Sequence, residues 1–181
     1  MASYSSARLR SSSVSLVLGG ARSGKSRYAE GLLAPHADKR IYLATAEPGD
    51  PEMRARIEDH RRRRGTSWRT VEAPLDIAPI IADAGEDAIL LDCLTLWLAN
   101  LMSAGRDIAK AESDLRSALS EVRAPIVLVS NEVGLGIVPD NALAREFRDH
   151  AGRLNQAMAA LADRVFFLAA GLPLTLKDKA A

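Results

Sequence analysis

Gly19, four further residues and then Gly24-Lys25-Ser26 have the spacing of a phosphate-binding loop. The whole segment reads Gly19-Gly20-Ala21-Arg22-Ser23-Gly24-Lys25-Ser26 and follows the apolar run Leu16-Val17-Leu18. Glycines let a backbone bend tightly, so that successive N–H groups converge on phosphate oxygens. The first turn of a following helix adds unpaired N–H donors and a partial positive charge. Lys25 would neutralise the β- and γ-phosphates, and the Ser26 hydroxyl would sit on Mg²⁺. A second signal is Ile89-Leu90-Leu91-Asp92, an apolar strand ending in an acid. Many strands end this way. After a phosphate loop, the Asp92 carboxylate is placed to hold Mg²⁺ opposite Ser26.

A third stretch is richer in charge: Arg56-Ile57-Glu58-Asp59-His60-Arg61-Arg62-Arg63-Arg64. An arginine run on a helix is commonly a solvated face or a nucleic-acid patch. Met53, Ile57, His60 and Arg64 recur at three- and four-residue spacing and so share one helix face. Arginines bind phosphate bidentately, and nearby positive charge disfavours the imidazolium form of His60. A neutral imidazole beside bound phosphates can act as a general base or as a nucleophile on phosphorus. The plainer alternative is a helix histidine packed between an apolar stripe and solvent. His36 and His150 are weaker candidates. Asn131-Glu132 follows another strand tip and can face the same cleft, forming a substrate loop with Gly134 and Gly136; a turn held by an Asx-type hydrogen bond fits equally well.

These residues need elements to hold them. Val14–Leu18, Arg40–Thr45, Ser67–Val71, Ala88–Asp92, Pro125–Ser130, Arg164–Ala169 and Leu172–Leu176 read as strands. Helices are expected over Lys25–Leu33, from an Asp50 cap through Arg54–Arg64, over Ile77–Ala84, from Leu94 through Met102, and from an Asp107 cap to Val122. A long one follows an Asp140 cap, with Leu143, Phe147, Ala151, Leu154, Met158 and Leu161 inward. The alternation is that of a mostly parallel sheet with helices on both faces. With the phosphate loop, this predicts a P-loop NTPase-type three-layer α/β sandwich with a RecA-like sheet. Ligands on such sheets bind outside the carboxyl ends of the strands, where the loop lies.

The chain has 181 residues, enough for one domain with a sizeable core, and residues 14–181 are read as one nucleotide-binding catalytic domain. Met1–Ser13 reads as a flexible tail. A net charge of +1 gives no global reason for nucleic-acid binding, and no aromatic in Glu52–Gly65 could stack a base. Cys93 is the single cysteine, which excludes an intrachain disulfide and is compatible with the cytoplasm. No apolar run approaches the ~20 residues that span a bilayer.

The phosphate loop also resembles that of the bifunctional adenosylcobinamide kinase/adenosylcobinamide-phosphate guanylyltransferase family of cobalamin assembly. Further segments resemble the family in the same order: Tyr42-Leu43-Ala44-Thr45-Ala46, Arg56-Ile57 through His60-Arg61, Trp68–Glu72, Leu90-Leu91-Asp92-Cys93-Leu94-Thr95, Val129–Pro139, Phe147-Arg148-Asp149 and Ala151–Gln156. The most specific is Asn131-Glu132-Val133-Gly134-Leu135-Gly136-Ile137-Val138-Pro139. The resemblance covers Val14 to Leu176. It implies phosphorylation of adenosylcobinamide by ATP or GTP. It further implies GMP transfer from GTP, through a His60-bound GMP, onto adenosylcobinamide phosphate. It makes His60 and Lys25 catalytic. Nucleotide contacts are implied at the phosphate loop, Ala44, Thr45, Ala46, Arg61, Arg62, Arg63, Arg64, Glu72 and Asp92. It also implies a homotrimer, which would give the Trp97–Met102 stripe a possible partner; the helical spacing of Leu94, Trp97, Leu98, Leu101 and Met102 reads as core or subunit interface rather than a ligand box. Some members carry a second histidine just before the nucleophile, where this chain has Asp59.

Overall fold

The structure is a computed structural model that describes residues 13–36, 39–47, 49, 51, 54–55, 58, 62 and 67–179. Seven strands form one sheet: β1 (Val14–Gly19), β2 (Arg40–Ala44), β3 (Arg69–Glu72), β4 (Ala88–Asp92), β5 (Ile126–Asn131), β6 (Arg164–Ala169) and β7 (Leu172–Asp178). Their spatial order is β3-β2-β4-β5-β1-β6-β7, all parallel except β7, which runs antiparallel to β6. The helices are α1 (Lys25–Leu32), α2 (Ile77–Ala82), α3 (Leu94–Ser103), α4 (Ile108–Glu121) and α5 (Ala142–Leu161). Pro51, Arg54, Ala55, Glu58 and Arg62 are also helical.

The layers follow from strand alternation. Leu16, Leu18, Ile41, Leu43, Ile89, Leu91, Ile126 and Leu128 face one side and pack with the buried residues of α2 to α5. Val17, Tyr42, Leu90, Val127, Val129 and Phe166 face the other side, against Ala29 and Leu33 of the α1 region. Both faces of the central strands are covered, which is why they read as unbroken apolar runs rather than alternating ones. At one edge, β7 leaves Leu172, Leu174 and Leu176 exposed.

Two expectations change in detail, and an open alternative is decided. The cap of α5 is Asn141, not Asp140: Asn141 Oδ1 accepts from the Ala144 N–H at 2.7 Å. The Asp140 carbonyl instead accepts from Arg145 Nη1 at 2.8 Å, which holds that residue outside the helix. Leu143 points outward and is 67% exposed, because it lies in the first turn of α5, ahead of the part that crosses the core. Finally, Trp97, Leu98 and Leu101 are buried in this chain's own core, and Trp97 Nε1 donates to the Leu75 carbonyl at 2.7 Å. That part of the α3 stripe has no free face to offer another subunit. Residues 1–12, most of the expected tail, lie outside the described residues. Ser13 is buried, and its carbonyl accepts from the Ile126 N–H at 2.9 Å.

Candidate active site

The loop between β1 and α1 opens where Gly19 leaves the sheet. Gly19 has φ +152° and Gly24 has φ +96°, both outside the comfortable range of residues with a side chain. The Ser23 N–H donates to the Gly20 carbonyl at 3.3 Å, and the Ser23 carbonyl accepts from the Gly171 N–H at 2.9 Å. The loop is thus tied to the turn joining β6 and β7. Gly24 occupies the cap position of α1 in a left-handed conformation, with no side-chain cap. The first N–H groups of α1 therefore face the loop without a side-chain acceptor, the usual arrangement of an anion site. Lys25 is buried, and its Nζ donates to the Gly20 carbonyl at 2.6 Å, so the ammonium lies across the loop it would serve.

Opposite stands Asp92, at the tip of β4. Ser26 Oγ donates to Asp92 Oδ2 at 3.0 Å, and the Tyr42 hydroxyl donates to the same oxygen at 2.7 Å. Ser26 and Asp92 offer a pair of hard oxygens. That suits Mg²⁺, which keeps several waters and takes phosphate oxygens rather than a full protein cage. No larger cluster of His, Cys, Asp and Glu exists among the described residues to suggest another metal.

The segment after β2 is stitched to the same strand tip. The Thr45 N–H donates to the Asp92 carbonyl at 3.1 Å. Thr45 Oγ1 donates to the Cys93 carbonyl and accepts from the Cys93 N–H, each at 2.8 Å. Asn100 Nδ2 donates to the Thr45 carbonyl at 2.8 Å and the Pro74 carbonyl at 3.1 Å. Ala44 and Ala46 flank buried Thr45 and are half-buried.

β5 separates the phosphate-loop strand from the Asp92 strand. Its last residue, Asn131, pairs in register with Gly19, and the Glu132 N–H donates to the Gly19 carbonyl at 3.0 Å. One strand edge therefore brings together the loop, Ala44-Thr45-Ala46, Asp92 and Asn131-Glu132. Glu72 ends the edge strand β3, pairs in register with Ala44 and is exposed. Arg62 is exposed, and its Nε donates to Glu58 Oε1 at 3.3 Å. His60, Arg61, Arg63 and Arg64 lie outside the described residues. A groove of about 440 Å³ between α2 and α4 contains none of the site residues.

A model of the family described as cobinamide kinase / cobinamide phosphate guanyltransferase matches residues 15–176. The chain belongs to this family. It is 49% identical over 170 residues to the bifunctional adenosylcobalamin biosynthesis protein CobP of Pseudomonas aeruginosa, covering 91% of this chain and 97% of that one. It is 44% identical over 179 residues to the bifunctional protein CobU of Salmonella typhimurium, covering 90% and 98%. Among solved structures, an ATPase domain aligns with a TM-score of 0.56 at 13% identity, covering 96% of this chain and 79% of that one. The Pyrococcus horikoshii protein PH0250 aligns at 0.59 and 7% identity, covering 94% and 89%. The fold of this CobU-family chain is that of the RecA-like P-loop NTPases.

Reading the sequence missed Tyr42, Asn100, Thr95 and Asn155, the polar side chains that fasten the site. Cys93, also at the site, is a thiol buried beside Asp92. Burial first, and the Asp92 charge second, push its pKa up from 9.0 to about 11. The folded state therefore keeps a neutral thiol where an unfolded chain ionises. Its contribution to stability is intact below pH 9.0 and is lost as pH rises towards about 11. Alkylation of the native protein by iodoacetamide is expected to be slow and to keep accelerating above pH 9, while the urea-unfolded chain levels off near 9.0. A native rate that levels off with the unfolded one would contradict the buried placement.

Proposed function

We propose that this chain phosphorylates adenosylcobinamide with ATP or GTP and then transfers GMP from GTP to the product. The reading is carried by the combination of full-length likeness to proteins named as bifunctional adenosylcobalamin biosynthesis enzymes and the hydrogen-bonded pair Ser26–Asp92 opposite an uncapped α1. In the kinase half, the phosphate loop and Lys25 hold the triphosphate while the acceptor oxygen attacks the γ-phosphorus. Ser26 and Asp92 would hold Mg²⁺, which would supply charge neutralisation of the phosphates. In the second half, an imidazole nitrogen of His60 attacks the α-phosphorus of GTP. The bond from that phosphorus to the bridging oxygen breaks, and pyrophosphate leaves. A phosphate oxygen of adenosylcobinamide phosphate then attacks the same phosphorus, the P–N bond breaks and adenosylcobinamide-GDP forms. Arg61 to Arg64, with Ala44, Thr45, Ala46 and Glu72, bind the nucleotide. The functional unit is a homotrimer in the cytoplasm. Among the described residues, no helix is long and apolar enough to cross a membrane.

The test is to incubate the protein with α-labelled GTP, with γ-labelled GTP and with γ-labelled ATP, each with and without adenosylcobinamide. Acid-labile label on the protein from α-labelled GTP alone, and γ-label on adenosylcobinamide, support both halves. Labelled corrinoid without labelled protein reduces the enzyme to a kinase.

A further inference from the structure

We propose that Glu132 is the general base of the kinase half-reaction, an assignment that rests on the function proposed above. Phosphoryl transfer to an alcohol needs a group that receives the hydroxyl proton as the new O–P bond forms. That group must stand near the phosphate loop without being the carboxylate that holds Mg²⁺. Asp92 is committed to Ser26 and Tyr42 through one oxygen, and Glu72 ends an edge strand with β2, β4 and β5 between it and β1. Glu132 differs from both. Its N–H is bonded to the carbonyl of Gly19, the first residue of the phosphate loop.

The strand tip beneath Glu132 is held by side chains from two helices, α3 and α5. Thr95 Oγ1 accepts from the Asn131 N–H at 2.7 Å and lies 3.3 Å from Ser130 Oγ. From the neighbouring helix α5, Asn155 Nδ2 donates to the Asn131 carbonyl at 3.2 Å. Thr95, Ser130 and Asn155 are each more than nine-tenths buried. Polar side chains in such a core are held where their hydrogen bonds are made, because breaking those bonds leaves them unpaired; Asn155 Nδ2 is paired in this way, while its Oδ1 has no partner among the described residues. What is held here is the backbone presenting Glu132. The carboxylate is itself oriented: Oε1 accepts from the Gly134 N–H. A Cβ on residue 134 would come within 3.0 Å of that oxygen, so a glycine suits the position. Oε2 bonds to no described residue, which leaves one oxygen for a substrate proton. Leu135 and Ile137 follow, 81% and 98% exposed, beside a base that would serve an organic alcohol rather than water.

In the step assigned, Oε2 takes the acceptor proton, the acceptor oxygen bonds to the γ-phosphorus, the bond to the β-phosphate oxygen breaks and the nucleoside diphosphate leaves. The protonated carboxyl then returns its proton to solvent. Thr95 and Asn155 are positioning residues.

The experiment measures steady-state phosphorylation of adenosylcobinamide and covalent labelling by α-labelled GTP, side by side, in wild type, E132Q, T95V and T95S. E132Q is expected to lower the kinase kcat by about 100-fold or more, the scale of general-base catalysis, with KM within about threefold. Its labelling with GMP should match wild type, which also shows that it folds and binds nucleotide. T95V should lower kinase kcat with labelling retained, and T95S should restore it. An E132Q kcat within about threefold of an active wild type overturns the assignment alone. Equal loss of kinase and labelling overturns it too, because the loop would then be a structural support for nucleotide binding. A wild type that phosphorylates no adenosylcobinamide overturns the functional reading and takes this assignment with it.

Discussion

His60→Ala is expected to abolish covalent GMP and the formation of adenosylcobinamide-GDP while leaving phosphorylation of adenosylcobinamide within about threefold of wild type. The reason is division of labour within one nucleotide site. The kinase step needs the phosphate loop, Lys25, Ser26 and Asp92, where Lys25 bonds to the Gly20 carbonyl and Ser26 to Asp92. GMP transfer needs a nucleophile on the α-phosphorus, and an alanine offers none. Loss of a nucleophile that forms a covalent intermediate costs on the order of 10⁴-fold or more. The check uses α-labelled GTP for the covalent adduct and γ-labelled ATP for the kinase product, in the same preparation. Label that survives in His60→Ala would assign the nucleophile elsewhere, with His36 and His150 the remaining histidines to test. A parallel fall in kinase activity would mean that His60 holds phosphate for both reactions. Asp59, which stands where some relatives have a second histidine, makes the comparison cleaner: no adjacent imidazole is present to take over.

How much of this was legible before any coordinates depended on the range of the interaction. The phosphate loop is a local device: its glycines, its lysine and its serine lie within eight residues, and the pattern survives as text. Asp92 was legible because an apolar strand ending in acid is also local. The side chains that fasten the site were not. Tyr42 reaches Asp92 across 50 residues, Asn100 reaches Thr45 across 55, and Thr95 reaches Asn131 across 36. Each reads in sequence as an unremarkable polar residue in an apolar element. Only the sheet order, with β4 between β2 and β5, makes them neighbours. Periodicity had the opposite weakness in α3. It marked Trp97, Leu98 and Leu101 as an apolar stripe, but a stripe does not say whether its partner is the same chain or another. The contact of Trp97 with the Leu75 carbonyl and the burial of all three decide for the same chain. Asp140 and Asn141 show the limit of cap signals: both side chains can accept from a helix N–H, and the choice was made by Arg145 reaching back to the Asp140 carbonyl.

Gly19→Ala is expected to damage the protein far more than Gly20→Ala, although both glycines belong to the same motif. Gly20 has open space where a Cβ would go, and its φ is not positive. Gly19 combines two obstacles. Its φ of +152° is disfavoured for any residue with a side chain. An added Cβ would also overlap the Leu168 carbonyl oxygen and come within 2.8 Å of Ser23 Oγ. The serine can rotate, but the carbonyl cannot. Leu168 pairs with Gly19 in the β1–β6 ladder, so relief requires those two strands to part at the point where the phosphate loop begins. Backbone strain and overpacking of this kind each cost about 1–3 kcal/mol, so a loss of about 3 kcal/mol is expected. For a chain of this length that lowers the melting temperature by about 6–12 °C. The displaced loop carries the Gly20 carbonyl that Lys25 contacts and, through Gly19, the Glu132 N–H. Nucleotide binding should therefore weaken even at temperatures where the variant remains folded. Thermal unfolding followed by circular dichroism, with GTP titration at low temperature, separates the two effects. If Gly19→Ala melts with wild type and binds GTP equally well, the close approach of β1 to the Leu168 carbonyl is not a constraint on the loop. If Gly20→Ala proves as harmful as Gly19→Ala, the cost lies in lost phosphate contacts along the whole loop rather than in the packing of its first residue against β6.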